Sequence, residues 1–350
     1  MIYLLYKIKK GRDIMYKIED FAMLAPMKYY NNEDTSNAKR QDMIDNKNGE
    51  YIATKKNDGD WSMLIHYSKG NNLIRSRSIS KVTGVYGDYT AKVPHIVREM
   101  ENWPDNTVML AELCWDEDGT NANTVGTILR CLPAKAVERQ KEKKLKAVVF
   151  DVLMYAGEDM TNKTYEDRFI NLARATNQLP KEERNPYIYP TEVIEDNFAE
   201  AADRIIAGGG EGIVIQRKDY VYSPGNRTAW KTLKLKQKLP EMELKVVGTL
   251  APNKIYEGDC PETWEYQIDG ELVTKPYYFG WKNGITVELS DGTKCDVASG
   301  LTDDDRAWLA TEEAAKMIEA GDLYAVVKAM SFNDKGRLRH PSLVRLRNDM

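Results

Sequence analysis

Thr54-Lys55-Lys56-Asn57-Asp58-Gly59-Asp60-Trp61 stands directly behind Glu50-Tyr51-Ile52-Ala53, a run that reads as a short strand. The stretch sets a lysine, a carboxylate and a glycine at a turn, and Lys56, Asp58 and Gly59 spell K-x-D-G. Taken alone, Lys-Asn-Asp-Gly is ordinary turn chemistry, because Asn, Asp and Gly tolerate tight backbone conformations. Its weight comes from the segments downstream, in their order and spacing.

Trp61 to Tyr67 alternates like a strand, and a turn at Lys69-Gly70-Asn71-Asn72 leads into Leu73-Ile74-Arg75-Ser76-Arg77-Ser78. This is a hairpin whose second strand carries two arginines. Residues 90–102 read as helix. Thr107 to Leu113 is an apolar strand with one acid, Glu112, and a lone carboxylate there needs a partner unless it lies at the surface. Residues 133–146 read as a charged helix, with Pro133 in its first turn and a mostly basic run from Lys135 to Lys146. Ala147-Val148-Val149-Phe150-Asp151-Val152-Leu153-Met154-Tyr155 fits a strand buried on both faces. Thr164 caps the next helix, with Arg168 on its first turn, and a further helix from Phe198 ends at Gly208-Gly209-Gly210. Glu211-Gly212 then opens the strand Ile213 to Arg217, and Arg227 lies in a turn after Pro224 and Gly225. In Trp230-Lys231-Thr232-Leu233-Lys234-Leu235-Lys236 the leucines share one face and Lys234 and Lys236 the other. A solvent edge strand kept soluble by lysine is the plain reading of that pair.

Pro240 marks a boundary, so two domains are expected, 1–239 and 240–350. The second consists of short strands with a helix from about Asp304 to Ala320, capped by Thr302 and stopped by Gly321. That pattern suits a small five-stranded barrel of the OB type. The fold class is α+β. A net charge of −4 means that any nucleic-acid surface must come from local clustering of the basic residues. Cys114, Cys131, Cys260 and Cys295 are far apart and the histidines do not cluster, which argues against a zinc site or a disulfide framework. Met1-Ile2-Tyr3-Leu4-Leu5-Tyr6 precedes its basic residues, the wrong order for a signal peptide, and no apolar run reaches membrane-spanning length. A soluble intracellular protein is expected, with residues 1–15 a disordered or non-native leader and Met15 an alternative start.

Taken together, these pieces resemble the ATP-dependent DNA ligases of the small viral or phage type, within the covalent nucleotidyltransferases. Lys56-Asn57-Asp58-Gly59 is similar to the nucleophile motif, Ser76-Arg77 to the arginine motif, and Glu112 to the acid that holds the ribose. Phe150 resembles the aromatic that stacks on adenine, Glu211-Gly212 the acidic strand motif, and Lys234-Leu235-Lys236 the paired lysines. Ala298 to Arg306 and Arg345-Leu346-Arg347-Asn348-Asp349 resemble the motifs of the family's barrel domain. Trp61 and Met350 depart from the pattern, standing where the family has arginine and lysine, and Arg75 is the candidate to replace the former.

The resemblance implies an adenylylation domain of antiparallel sheets flanked by helices, followed by a C-terminal OB-fold barrel. It implies three steps on nicked duplex DNA: Lys56 takes AMP from ATP, AMP passes to the 5′-phosphate, and the 3′-hydroxyl displaces it. The first step needs a neutral amine, yet at a pKa near ~10.4 only about one lysine in a few thousand is neutral at pH 7. Nearby cations favour the neutral form, which gives Lys234 and Lys236 a reason to be there. Asp58 joins the catalytic set. Thr54, Lys55, Arg77, Glu112, Phe150, Arg227 and Arg347 are the implied nucleotide contacts. Glu112 and Glu211 offer hard oxygens to Mg²⁺ or Mn²⁺. Arg75, Arg77, Lys92, Lys135, Lys143 and Lys144 are the candidates for phosphate-backbone contacts, and the aromatic-rich stretch from Tyr256 to Trp281 is a candidate clamp on the duplex. A monomer in the cytoplasm of a bacterial or phage-infected cell is the implied setting. RNA ligase, capping enzyme and a catalytically impaired nucleic-acid-binding homologue share enough of these motifs to stand as alternatives.

Overall fold

The computed structural model describes residues 15–29, 38–80, 83–115, 122–177, 187–195, 197–226, 230–236, 240–255, 266–333 and 335–347. The chain divides into two compact units, Met1–Lys236 and Gln237–Met350.

The first unit holds α1 (Ala38–Asp45), β1 (Tyr51–Lys55), β2 (Asp60–Ser68), β3 (Asn71–Ile79), β4 (Tyr86–Asp88), α2 (Pro94–Met100) and β5 (Thr107–Cys114). It continues with α3 (Ala122–Leu129), α4 (Pro133–Arg139), β6 (Lys146–Tyr155), β7 (Glu158–Asp159), α5 (Tyr165–Asn177), β8 (Ile188–Pro190) and β9 (Val193–Ile194). It ends with α6 (Phe198–Ala207), β10 (Gly212–Arg217) and β11 (Thr232–Lys236). Two sheets result. The larger runs β4-β3-β2-β5-β6-β7, with β8 added in parallel to β6, and the smaller runs β11-β10-β1-β9. All pairings in the smaller sheet are antiparallel.

Alternation along each strand decides what the faces meet. On the larger sheet, Leu64, Ile74, Met109, Ala111 and Val149 pack against helices α2 to α5. Its other face, with Met63, Ile65, Leu110 and Leu153, packs with Phe21, Met27, Tyr220 and Tyr222. On the smaller sheet, Ala53, Ile213, Ile215 and Leu233 pack against α1 and α6. The opposite face of that sheet joins the Phe21 cluster through Ile52. The site is built on these inward faces.

The second unit holds β12 (Met242–Leu250), a small hairpin of β13 (Gln267–Ile268) and β14 (Glu271–Leu272), α7 (Lys275–Tyr278), β15 (Gly284–Glu288) and β16 (Lys294–Val297). After these come α8 (Asp303–Trp308), α9 (Glu312–Ala320), β17 (Tyr324–Lys328), the pair β18 (Ser331–Phe332) and β19 (Leu338–Arg339), and β20 (Ser342–Arg347). Its five-stranded sheet runs β16-β15-β12-β17-β20. The sheet curls until its ends meet at a parallel bridge between Ser299 and Ser342.

Three helical expectations are corrected. The helix at 133–146 ends at Arg139, because the Gln140 amide turns back to donate to the Ala136 carbonyl at 3.0 Å and the Lys92 carbonyl at 2.7 Å. The basic run after it, with only Leu145 buried between Lys141 and Lys146, has no apolar stripe to hold a helix down. The helix at 304–320 is two helices, because Thr302 caps the first and Thr311 the second, each hydroxyl accepting from the backbone three residues on. Within 90–102 only Pro94–Met100 is α-helical, after a short 3₁₀ turn at Thr90–Lys92. No helix among the described residues is long and apolar enough to cross a membrane.

Candidate active site

The K-x-D-G turn leaves the end of β1 and enters β2. Lys55 pairs with Ile213, and the Lys56 peptide N–H donates to the Gly212 carbonyl at 2.8 Å, extending the ladder by one residue. That register puts the Lys56 side chain beside Glu211, and its Nζ donates to Glu211 Oε2 in a close ion pair. Both side chains are largely buried, at 18% and 13% exposure, so the pair is only weakly screened by water. The two motif glycines have steric reasons. A Cβ at Gly59 would run into the Leu113 carbonyl and lie 2.8 Å from Cys114 Cβ. A Cβ at Gly212, where φ is +128°, would strike the Leu235 carbonyl of the neighbouring strand.

β5 supplies the floor. Glu112 sits opposite Trp61 of β2, on the face that carries Leu110 and Val108. Burial pushes its carboxyl up to about 7; Lys56 pulls the other way, and Glu211, Asp60 and Asp58 add to the rise. Phe150 comes from β6, at a register shift: Val149 pairs with Ala111 but Asp151 pairs with Leu110, leaving Phe150 as the extra residue of a bulge. Phe150 packs on the Phe21 cluster, and Asp151 turns to the same side. There Arg168 of α5 donates Nε to Asp151 Oδ1 at 2.8 Å and Nη2 to Oδ2 at 3.0 Å, with both side chains fully buried. The guanidinium also lies against the rings of Tyr165 and Tyr220, at 5.5 and 5.1 Å. Sequence reading missed this pair. Its signal was an acid inside an apolar strand that had to find a cation.

β11 closes the group. Lys234 pairs in register with Val214, and because Leu233 faces α6 the lysine faces inward. The solvent-edge reading of this strand therefore fails for Lys234. Its amine lies 5.5 Å from the centre of the Tyr29 ring, and burial lowers it to about 8, with Lys56 and Arg77 contributing. Lys234 and Arg77 line a cavity of about 470 Å³, together with Lys28, Tyr29, Ser78 and Tyr86. Lys56, Glu112, Phe150 and Glu211 do not line that cavity; Lys56, Glu112 and Glu211 form a neighbouring group that Lys234 links to it through charge, while Phe150 packs on the Phe21 cluster. Lys28 and Tyr29 were not foreseen, since no periodicity in the leader marks them.

Other expected residues divide. Arg77 is exposed at the cavity rim. Arg75 is corrected: it is 1% exposed, donates Nε to the Phe21 carbonyl at 3.0 Å and Nη1 to the Ser76 carbonyl at 3.2 Å, and faces Tyr86 at 4.0 Å. It does lie 5.9 Å from the Trp61 ring, but its donors are committed to the leader and its own strand. Lys92 donates to the Leu129 carbonyl at 2.6 Å, so its amine ties down a helix end instead of facing a duplex. Lys135 is exposed, Lys143 lies over Trp115 and Lys144 over Tyr187. Thr54 is buried in β1, paired with Val214 and Val193; Lys55 is half-buried. Lys236 faces Gly212 across the ladder, and Asp58 lies near Glu112. In the second unit Arg347 pairs with Glu243 at 3.0 Å. Arg227, Met350 and residues 256–265 of the aromatic stretch lie outside the described residues.

A family model for the ATP-dependent DNA ligase domain matches residues 34–236. A DNA ligase of Thermococcus fumicolans is 27% identical over 191 residues, covering 53% of this chain and 32% of that protein. The chain thus spans about a third of the length of that curated relative. Among solved structures, one from a study of Lig E DNA ligases has a TM-score of 0.59 at 18% identity, covering 85% of this chain and 93% of that one. Another, Pmar-Lig_PreS3, has a TM-score of 0.61 at 16% identity, covering 93% of this chain and 68% of that one. At those identities the likeness speaks for the fold.

Proposed function

The chain belongs to the ATP-dependent DNA ligase domain family, and on that premise we propose that it seals 5′-phosphate/3′-hydroxyl nicks in duplex DNA with ATP as adenylate donor. The observation that carries this is the Lys56–Glu211 pair, assembled beside Glu112 and Lys234 from separate strands of two sheets. Lys56 is the nucleophile: its Nζ forms a bond to the α-phosphorus of ATP as the α–β bridging P–O bond breaks and pyrophosphate leaves. Glu211, in direct contact, is the nearest acceptor for the proton the ammonium must shed. Lys234 stands as a cation beside the developing phosphate charge. Phe150 and Glu112, on one face of the larger sheet, serve adenine and ribose. Adenylate then moves to the strand's 5′-phosphate as the P–N bond breaks, and the 3′-hydroxyl displaces AMP to leave a phosphodiester.

Glu112 and Glu211 would hold Mg²⁺ or Mn²⁺. The residues fit, because Glu211, Asp60 and Asp58 crowd Glu112 while Lys56 and Lys234 offset only part of that charge, and a divalent cation relieves the repulsion. Once bound, the metal neutralises phosphate charge. No group of three His, Cys, Asp or Glu side chains placed to hold a metal occurs among the described residues, so the ion would rely on substrate phosphates for its other ligands. We read 1–239 as the adenylylation domain and 240–350 as an OB-type barrel, a reading supported by the strand order and the Ser299–Ser342 bridge. Lys135, Lys143 and Lys144 remain the candidates for backbone contacts on DNA.

Incubation with α-labelled ATP and Mg²⁺ should leave label on the protein, and Lys56→Ala should accept none. Nicked DNA should be sealed, and nicked RNA or GTP should serve poorly. Absence of label on the unaltered chain favours the impaired homologue, for which Trp61 in place of arginine is the specific motive.

A further inference from the structure

The cavity beside the lysine strand has an uneven lining. Lys28, Arg77 and Lys234 all border it, and among the described residues no carboxylate does, although Glu211 and Glu112 act on Lys234 from behind the lining. Three like charges around one hollow repel one another, and Arg77 and Lys56 add to the effect of burial in depressing Lys234. Such an arrangement is stable only because the surrounding fold imposes it, and an anion would relieve it. Ser78 adds a hydroxyl donor, and Tyr29 and Tyr86 wall the sides.

Lys28 comes from the segment ahead of the nucleophile strand, and the fold fixes that segment firmly. The Met27 N–H donates to Tyr222 Oη at 2.9 Å, and the Lys28 N–H donates to the Asn226 carbonyl at 2.9 Å. Ala25 accepts from the Gly225 N–H at 3.0 Å, and Met27 is 4% exposed in the core. The backbone of Lys28 is therefore held on both sides while its side chain is exposed at the cavity. An ordinary surface lysine on a loose leader would have no such anchoring.

Resting on the ligase reading above, we propose that Lys28 is a substrate-binding residue: with Arg77 and Lys234 it holds a phosphate group other than the one Lys56 attacks. Two sources share that chemistry, the pyrophosphate end of ATP and the 5′-phosphate of the broken strand. The cavity volume of about 470 Å³ admits either. Tyr29, stacked under the Lys234 amine, is the positioning residue that keeps the shared cation aimed inward.

The test compares Lys28→Ala with Lys28→Arg and with Lys69→Ala, an exposed lysine in the β2–β3 turn. Loss of one charge-assisted hydrogen bond should weaken the affected step about tenfold. A fall in label uptake from α-labelled ATP assigns the pocket to the pyrophosphate end. Unchanged label with slower sealing of pre-adenylylated nicked DNA assigns it to the strand's phosphate. Binding of inorganic tripolyphosphate, measured by calorimetry, should weaken by a similar factor, and Lys28→Arg should restore most of the loss. If Lys28→Ala matches Lys69→Ala in all three measurements, the proposal is wrong while the ligase reading stands. If the unaltered chain takes no label, the ligase reading fails, and tripolyphosphate binding alone decides for or against Lys28.

Discussion

Glu112 and Lys234 are displaced in opposite senses from their ordinary states, each by burial and each toward its neutral form. A carboxyl raised from 4.5 to about 7 binds more protons folded than unfolded across that window. Its contribution to stability is full below pH 4.5 and is lost as pH rises through 7. Glu112→Gln keeps the neutral shape at every pH. The variant should match the parent near pH 4.5 and exceed it at pH 8 by on the order of 2 kcal/mol in denaturant unfolding, while losing lysyl-AMP formation. Equal stability at both pH values would disprove the placement of that charge. Lys234 shows the mirror case. Lowered from 10.5 to about 8, it holds fewer protons folded, so its contribution to stability grows between pH 8 and 10.5. With Lys234 in its proposed role, activity should follow the other sign, because the cation is lost above pH 8. Lys234→Arg, which stays charged, should move the alkaline limb of the labelling rate upward; a limb that stays in place removes Lys234 from that role. At this scale the nearness of Lys56, Glu211, Glu112 and Lys234 was legible, because each motif sits in a few adjacent residues at a strand end or on a strand face. Arg75 was not. It shares a strand face with Arg77 two residues away, and only the leader's carbonyls decide that one guanidinium is buried and the other exposed.

Elements were legible where a period of two or 3.6 had a face to bury, and opaque where a side chain interrupts the backbone. Thr311 starts a new helix and Gln140 ends one where charge and propensity alone would have run a single helix through. The bulge at Phe150 left no mark in Val149-Phe150-Asp151-Val152, since any apolar run could hold it. Beside it the buried Arg168, 17 residues on, holds Asp151 on the Phe150 side of the sheet. Removing one partner of a fully buried pair leaves a charge without compensation, at a cost of roughly 3–5 kcal/mol. Arg168→Met should lower the stability of the first unit by about that amount, and Arg168→Lys should not rescue it, because a single ammonium cannot satisfy both carboxylate oxygens. Thermal melts would check both; a variant as stable as the parent would mean that the bulge is held by something else. Gly212 tests the smaller sheet. Gly212→Ala must push the Leu235 carbonyl away at a φ of +128°, which should cost about 1–3 kcal/mol and abolish label uptake by parting Glu211 from Lys234.

At the scale of the whole molecule, a net charge of −4 spread over two compact units means that neither composition nor size points to nucleic acid. The indication comes from where the fold gathers its cations. The change of strand grammar near Pro240 lies close to the division between the units at Lys236 and Gln237, while the parallel bridge between Ser299 and Ser342 was not legible, since it has no sequence period. That unit has its own core, in which Val246, Ile285, Val287, Val297, Leu323, Ala325 and Val327 are buried together. Residues 237–350 expressed alone should therefore fold, giving dispersed amide resonances and a cooperative melt. Gly300 sits at the closure with φ +85°, and a Cβ there would press on the Leu343 backbone, whose N–H donates to the Ser299 carbonyl at 2.8 Å. In the fragment, Gly300→Ala should cost about 1–3 kcal/mol and speed exchange of the Leu343 amide ahead of those in β12, because the bridge must open before the sheet does. Uniform exchange across both would mean that the Ser299–Ser342 bridge does not hold the sheet ends together.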